Sequence, residues 1–292
     1  MNRNPVYAST AGIARHFRTL PELLASLTGA GIDRIELGWA PPHSGLELPQ
    51  GLAAFPARWL VHNYFPAPTR PFVLNLASQD IVTLERSREF CRQAIRLSAD
   101  LGAPFYSVHC GFLAELEPRS LGRKVQYSEI WDYEAGYATF RSSLELLILE
   151  ARTLGIRLLI EPNVVAPINL VDGHNLLFML AEPREFARLL ADVPDDYLGV
   201  LLDLGHLKVT AKTLGFEPAA FIEAAAPAVG AFHLHDNDGT NDQHQPVSAD
   251  SWTFEIIRQP RFAGRPVVNE AKFESVPAMA AHCEMINQLL NR

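Results

Sequence analysis

Cysteine is scarce in this 292-residue chain, which has only Cys91, Cys110 and Cys283. Their number is odd, their spacings are wide, and no CxxC pair occurs. A disulfide scaffold and a thiolate zinc or redox motif are thereby excluded, and a reducing compartment is the default. Positive charge is also short: 25 Lys and Arg stand against 33 Asp and Glu, a net charge of −8. That balance disfavours a broad nucleic-acid-binding face. No run approaches the roughly 18 apolar residues of a membrane span, and residues 1–5 open no apolar signal segment. The expected location is soluble and cytoplasmic. Neither GxGxxG nor a P-loop follows the first strand-like run, so the common nucleotide folds lose support. Repeats and low-complexity tracts are absent.

What is present is a globular composition, 48% apolar and 20% charged, that can bury a large core. Short apolar runs rich in Val, Ile, Leu and Phe recur at 6–10, 34–39, 59–65, 105–111, 157–163, 198–206, 229–237 and 266–272. Such runs suit strands covered on both faces. Helical spacing of apolar residues fills 20–30, 81–101, 137–154, 183–190, 217–225 and 276–291, the first opened by Thr19 and Pro21 as cap and first-turn pair. Eight strands alternating with helices predict a parallel α/β fold. The count of eight favours a closed (β/α)8 barrel, one domain over 1–292, above an open doubly wound sheet. Two connections are long, 115–134 after the fourth strand and 164–182 after the fifth, and long loops of this kind sit at a catalytic mouth. Three prolines in 66–71 stiffen a third loop.

In a barrel, chemistry gathers at the C-terminal ends of the strands. There the third run carries His62, the fourth His109 and the fifth Glu161. The sixth carries Asp203 and His206, the seventh His233 and His235, the loop beyond it Asp242 and His244, and the eighth Glu270. These groups are costly to bury unpaired. A divalent cation resolves that cost by binding neutral imidazole and ionised carboxylate together. Mixed nitrogen and oxygen ligation suits Zn2+, Mn2+, Fe2+ or Co2+. Glu161, Asp203, His233 and Glu270 fall on four successive strands and can converge on one ion, with His62, His109, His206, Asp242 and His244 as further ligands. His235 shares a side of its strand with His233 and reads as a substrate contact or a support to the ligands. Asp236 and Asp238 read as turn residues. His16, His43, His174 and His282 lack the strand-end setting, and Cys110 should point into the helix layer.

With these motifs in order (SVHCG, IEPN, LLDLGH, HLHDNDG, the D-x-H of Asp242 to His244, and NEAK) the sequence resembles the xylose-isomerase-like TIM barrels. That superfamily includes sugar and sugar-phosphate isomerases and epimerases, and endonuclease IV. The resemblance spans strands two to eight. It implies, from the epimerases, one Mn2+-type ion on Glu161, Asp203, His233 and Glu270. From endonuclease IV it implies three zinc ions: the first on that same set, the second on His62, His109 and again Glu161, the third on His206, Asp242 and His244. The segment 72–78 also looks like the loop after that nuclease's first histidine. Two departures stand out. Gln245-Pro246-Val247-Ser248 replaces the carboxylate and glycines that follow the nuclease D-x-H, and Ile35-Glu36-Leu37-Gly38 looks like the isomerase side.

The leading expectation is a divalent-metal-dependent isomerase or epimerase of a sugar or sugar derivative, holding one to three Zn2+ or Mn2+ per chain. The metal would chelate a carbonyl and a neighbouring hydroxyl and stabilise an enediolate, with Glu161 and Glu270 as base and acid. Glu36, His235 and Lys272 are the candidate substrate contacts. Arg119, Arg123 and Lys124 form a small basic cluster for a phosphate or carboxylate, or a solvated loop. Trp39, Tyr64, Phe65 and Trp252 form an apolar wall for a sugar face, or simply pack. The alternative is an endonuclease IV-like multi-zinc phosphoester hydrolase, which the D-x-H and the two upstream histidines favour. A non-catalytic sugar-binding or metal-storing barrel stands third, because no ligand is missing. The expected partner is a small carbohydrate rather than a membrane or a nucleic acid. Oligomeric state is left open.

Overall fold

The computed structural model describes residues 4–40, 47–68, 70–120 and 122–291. Its strands are β1 (Val6–Ser9), β2 (Arg34–Leu37), β3 (Arg58–His62), β4 (Phe105–His109), β5 (Arg157–Glu161), β6 (Leu198–Asp203), β7 (Val229–Leu234) and β8 (Val267–Asn269). Every neighbouring pair is parallel, and β1 pairs with both β2 and β8, which closes the barrel. The helices are α1 (Leu20–Gly29), α2 (Ile81–Asp100), α3 (Tyr133–Thr153), α4 (Pro183–Asp192), α5 (Leu204–Leu214), α6 (Pro218–Ala225), α7 (Thr253–Ile257) and α8 (Val276–Leu290). Side-chain oxygens open several of them: Thr19 accepts from the Glu22 N–H, Asp80 from Thr83, Asp132 from Ala135 and Ser275 from Ala278. Each satisfies one amide that a helix N-terminus leaves without a partner.

The two-residue period of a strand builds the barrel interior in layers. Tyr7, Leu60, Phe105, Leu159, Leu201, Ala231 and Val268 form an apolar plug. Two residues further along the same strands lie Ser9, His62, Ser107, Glu161, Asp203, His233 and Glu270, all buried. One alternation therefore supplies both the plug and, a layer above it, a polar ring at the mouth. Residues of opposite parity, such as Ile35, Val61, Val108, Ile160, Leu202 and Phe232, face the helices in the main core, which also takes Cys110 as expected.

The strands begin within one residue of the sequence expectation but end one to three residues earlier. Inter-strand pairing stops at the mouth, while the apolar pattern runs on into the loops. One consequence is a correction: His206 is not on β6 but in the first turn of α5. Asp203 ends the strand and caps the helix, its Oδ1 accepting the His206 N–H at 2.7 Å. Helix α5 was hidden because Leu204-Gly205-His206 reads as more buried strand, and five-residue α7 is too short for a periodic signal. The long loops after β4 and β5 are present and share their own apolar cluster, which includes Val73, Phe112, Leu116, Val125, Val165, Leu177 and Phe178. Asn75 hooks the 72–78 segment beneath them: its Oδ1 accepts the Phe112 N–H, and its amide donates to the Phe112 and Ala114 carbonyls.

Candidate functional site

Strand register places the ligand residues side by side. His109 lies opposite Glu161 across β4 and β5, and Asp203 lies opposite His233 across β6 and β7. Among the described residues three groups at the mouth match the expected sets, with ligand atoms within 4.8 Å of one another: Glu161, Asp203, His233 and Glu270; His62, His109 and Glu161; and His206, Asp242 and His244 together with His235; a fourth joins Glu36, His62 and His233. Tetrahedral bonds of about 2.0–2.1 Å put ligand atoms roughly 3.4 Å apart. In the first group His233 Nδ1 is 3.4 Å from Glu161 Oε1, 3.1 Å from Glu270 Oε2 and 3.8 Å from Asp203 Oδ2. In the second, Glu161 Oε2 is 3.3 Å from His62 Nε2 and 3.5 Å from His109 Nε2. In the third, Asp242 Oδ2 is 3.4 Å from His206 Nε2 and 2.9 Å from His244 Nε2. Both Glu161 oxygens, His233 Nδ1 and Asp242 Oδ1 are buried without a hydrogen-bond partner. Partnerless buried atoms spaced as ligand edges fit divalent cations, with Glu161 shared between two groups.

The other nitrogen of most of these imidazoles is held from behind. His62 Nδ1 bonds Ser107 Oγ at 3.0 Å, and the His206 Nδ1–H reaches the Pro162 carbonyl at 3.3 Å. The His244 Nδ1–H donates to the Glu270 carbonyl at 3.2 Å, and the His233 Nε2–H donates to Glu36 Oε2 at 2.9 Å. Such partners fix which nitrogen faces a metal and raise its basicity. Glu36, expected as a substrate contact, is fully buried behind His233, so the structure gives it this supporting place instead. His235 is likewise buried and off the cavity, its Nε2–H donating to Asp203 Oδ2 at 3.1 Å. Gly205 is what admits that ring: a Cβ there would collide with the His235 imidazole. Glu36→Gln is expected to weaken zinc binding about 10–100-fold, the usual cost of losing such a partner, with little change in fold. Competition against a zinc indicator measures it, and an unchanged affinity would deny Glu36 the role.

Burial opposes charge on all these groups, and at the carboxylates the neighbouring imidazoles overrule it. Desolvation pushes the Glu161 carboxyl up, yet His109, His233 and His62 hold it down at about 2. Against the same burial, His206 and His235 hold Asp203 well below the usual range, His206 and His244 do so for Asp242, and His233 and His244 lower Glu270. On the imidazole side, burial lowers and carboxylates raise. The carboxylates win at His206, His233 and His244. At His109 burial wins and leaves a neutral ring, lowered to about 4. In the metal-free site ionised carboxylates thus favour the protonated rings of His206, His233 and His244. A raised imidazole keeps its proton through neutral pH, and a cation must displace it. Zn2+ binding to chelator-treated protein is therefore expected to release protons at pH 6.5, with affinity rising as pH rises. Titration calorimetry in two buffers of different ionisation enthalpy reads this directly. Heats identical in both buffers would contradict it.

Above the ring opens a cavity of about 590 Å3, within the range of ligand pockets. His62, His109, His206, Asp242, His244 and Glu270 reach its floor. Trp39, Tyr64, Leu74, Phe112 and Phe178 form its walls, and Arg123 and Lys124 stand among the lining residues from the loop after β4. Glu161 does not line it. Nor does Lys272, an expected substrate contact: its side chain is exposed and its backbone N–H donates to the His244 carbonyl at 2.7 Å. Arg119 is also absent from the lining. Of the expected apolar wall, Phe65 and Trp252 pack against the core instead. Asp238 makes turn contacts as expected, its Oδ1 accepting from the Thr240 and Asn241 amides, while Asp236 accepts the Asn237 N–H and also pairs with Lys208 at 2.7 Å. His43 lies outside the described residues. Sequence reasoning missed Ser107, although its place two residues before His109 and across from His62 in register was a usable signal. It also missed Asn163, which lines the cavity and donates to the Cys110 carbonyl.

A family model described as a xylose isomerase-like TIM barrel matches residues 29–289. No curated protein matches the sequence. Among solved structures, a D-tagatose 3-epimerase-like protein is similar at a TM-score of 0.73 and 18% identity, over 99% of this chain and 97% of the other. A xylose isomerase-like TIM barrel protein from Mycobacterium smegmatis, in complex with magnesium, gives 0.65 and 18% over 99% and 97%. A Thermus thermophilus protein soaked with ZnCl2 gives 0.60 and 20% over 97% and 98%. At these identities the shared property is the fold. Among the described residues no helix is long and apolar enough to cross a membrane.

Proposed function

Because the chain belongs to the xylose isomerase-like TIM barrel family, we propose that it is a divalent-metal-dependent isomerase or epimerase of a sugar or sugar derivative. The observation that carries this reading is the set of buried, partnerless atoms of Glu161 and His233 converging with Asp203 and Glu270 beneath an open cavity. Similarity to a D-tagatose 3-epimerase-like protein supports the substrate class. A bound divalent cation would supply Lewis acidity toward a carbonyl and its neighbouring hydroxyl. The chain's own groups do the rest. Glu270, at the cavity floor, takes the proton from the carbon beside the carbonyl while the bonding pair shifts onto the carbonyl oxygen. Glu270 then returns that proton to the neighbouring carbon while the hydroxyl proton passes to the first oxygen, so that a new carbonyl forms. Glu161, expected as the acid, is ionised, fully buried and off the cavity lining, and would hold a cation rather than deliver a proton. Neutral His109 and the His62 ring face the substrate oxygens, and the apolar walls keep water from the reacting carbon.

A second reading has its own observation. The His62, His109, Glu161 and the His206, Asp242, His244 groups are assembled in full, and moving one proton at one ion does not require them. Multi-metal phosphoester hydrolysis would use them. Elemental analysis of protein purified without added metal or chelator, followed by a ketose and aldose panel and a phosphodiester assay, separates the readings. Bound metal with proton exchange at a sugar carbon supports the first. Two to three zinc ions with phosphoester cleavage and no sugar turnover replaces it with the second.

A further inference from the structure

Arg123 and Lys124 are adjacent cations in an acidic protein, and both line the cavity above the ligand groups. Among the described residues neither side chain makes a hydrogen bond or an ion pair, whereas many of the chain's other arginines are paired, such as Arg96 with Glu150, Arg188 with Glu134 and Arg261 with Glu223. The arm that carries them is built rather than loose. Leu116 bridges Tyr127, the Glu117 N–H donates to the Gln126 carbonyl, and the Arg123 N–H closes a turn on the Ser120 carbonyl. Val125, next to Lys124, is buried in the cluster under the long loops, and its N–H donates to Asn169 Oδ1 at 2.9 Å. That bond ties the arm to the loop after β5. Two cations without partners among the described residues are thus held over a cavity whose floor is lined by Asp242 and Glu270.

Resting on the isomerase or epimerase reading, we propose that the natural substrate is a sugar bearing an anionic group, a phosphate ester or a carboxylate, which Arg123 and Lys124 bind away from the reacting carbons. Arg123 offers a planar fork suited to two anionic oxygens, and Lys124 adds a point charge. The two cations and the ligand groups line one cavity, so an anion held on the arm leaves the carbonyl with its hydroxyl free to face the ligand groups. Trp39 and Ile168, 55% and 52% exposed, offer their apolar surface in the same cavity, where they cover the carbon skeleton between the two ends. A neutral monosaccharide would leave both cations unused.

The test compares binding of D-fructose with D-fructose 6-phosphate, and of D-glucose with D-glucuronate, to metal-loaded protein by calorimetry. At least one anionic sugar is expected to bind tenfold or more tighter than its neutral partner. The gap should collapse to less than twofold in Arg123→Ala/Lys124→Ala and shrink as salt rises from 50 to 500 mM. The phosphate and glucuronate arms show which anion is read. Equal affinities, no binding by any of the four, or a gap that survives in the double variant would overturn the proposal. Both side chains are exposed, so the variant should fold, and its metal content should equal that of the parent. Metal content also keeps this failure separate from that of the functional reading, which falls if the purified protein holds no metal.

Discussion

Glu161→Ala is expected to abolish turnover and to strip the ions of two groups at once, while the group of His206, His235, Asp242 and His244 keeps its ligands. No other side chain belongs to both the His62 and His109 group and the Asp203, His233 and Glu270 group, and its two oxygens are divided between them. In the metal-free protein the loss is structural as well. The imidazoles of His62, His109, His206 and His233 all lie within 3.5 Å of that carboxylate. Breaking a buried pair by removing one partner costs about 3–5 kcal/mol. In a chain of this size that corresponds to a Tm lower by roughly 10 °C. Elemental analysis and a thermal melt measure both effects. Glu161→Gln, which keeps the volume and one carbonyl oxygen, guards against a folding failure: it should melt closer to the parent and still lose metal. Parental metal content in both variants would remove Glu161 from the ligand set.

Glu270→Gln isolates the proton-moving step. The amide keeps the shape and an oxygen toward the first group but is no base, so once added metal restores the parental content, kcat should still fall by about 10^3, inside the range of about 10^2–10^4 for a general base. Substrate binding should change little, so the loss falls on kcat rather than KM. Exchange of the sugar C–H proton with deuterated solvent, followed by NMR, should stop in parallel. A kcat within tenfold of the parent, with metal retained, would move proton transfer to another group. Neutral His109 is then the first to examine, since it lines the same floor.

The convergence of the candidate ligands was legible because it obeys the simplest rule of a strand. Leu159 to Glu161, Leu201 to Asp203, Ala231 to His233 and Val268 to Glu270 each step two residues from the plug to the mouth, and eight such strands have one way to close. What lay behind the ligands was not legible. The acceptors for His206 and His244 are backbone carbonyls, of Pro162 and Glu270, which carry no sequence signature. Glu36 sits at a strand end like the candidate ligands, and only the structure shows that it is buried against His233 Nε2 and away from the cavity. His206 illustrates the limit of periodicity: a buried Leu-Gly-His after a strand is equally a strand continuing or a helix starting. The hydrogen bond from its N–H to Asp203 decides between them. Lys272 failed because it lies three residues past Asn269, the end of β8, where side-chain parity has lapsed, whereas Glu270, the next residue, still keeps it.

The arm over the cavity and the floor beneath it rest on different foundations. The apolar cluster under the long loops shares no residue with the plug inside the barrel or with the core around it. The metal-facing side chains are set mainly by strand register, the cations by the arm. Drift in one does not have to be matched by drift in the other. On the proposed reading, a lineage built this way can trade substrates while inheriting its reaction unchanged, and the interval between β4 and α3 is the natural unit of exchange for redesigning what the cavity accepts.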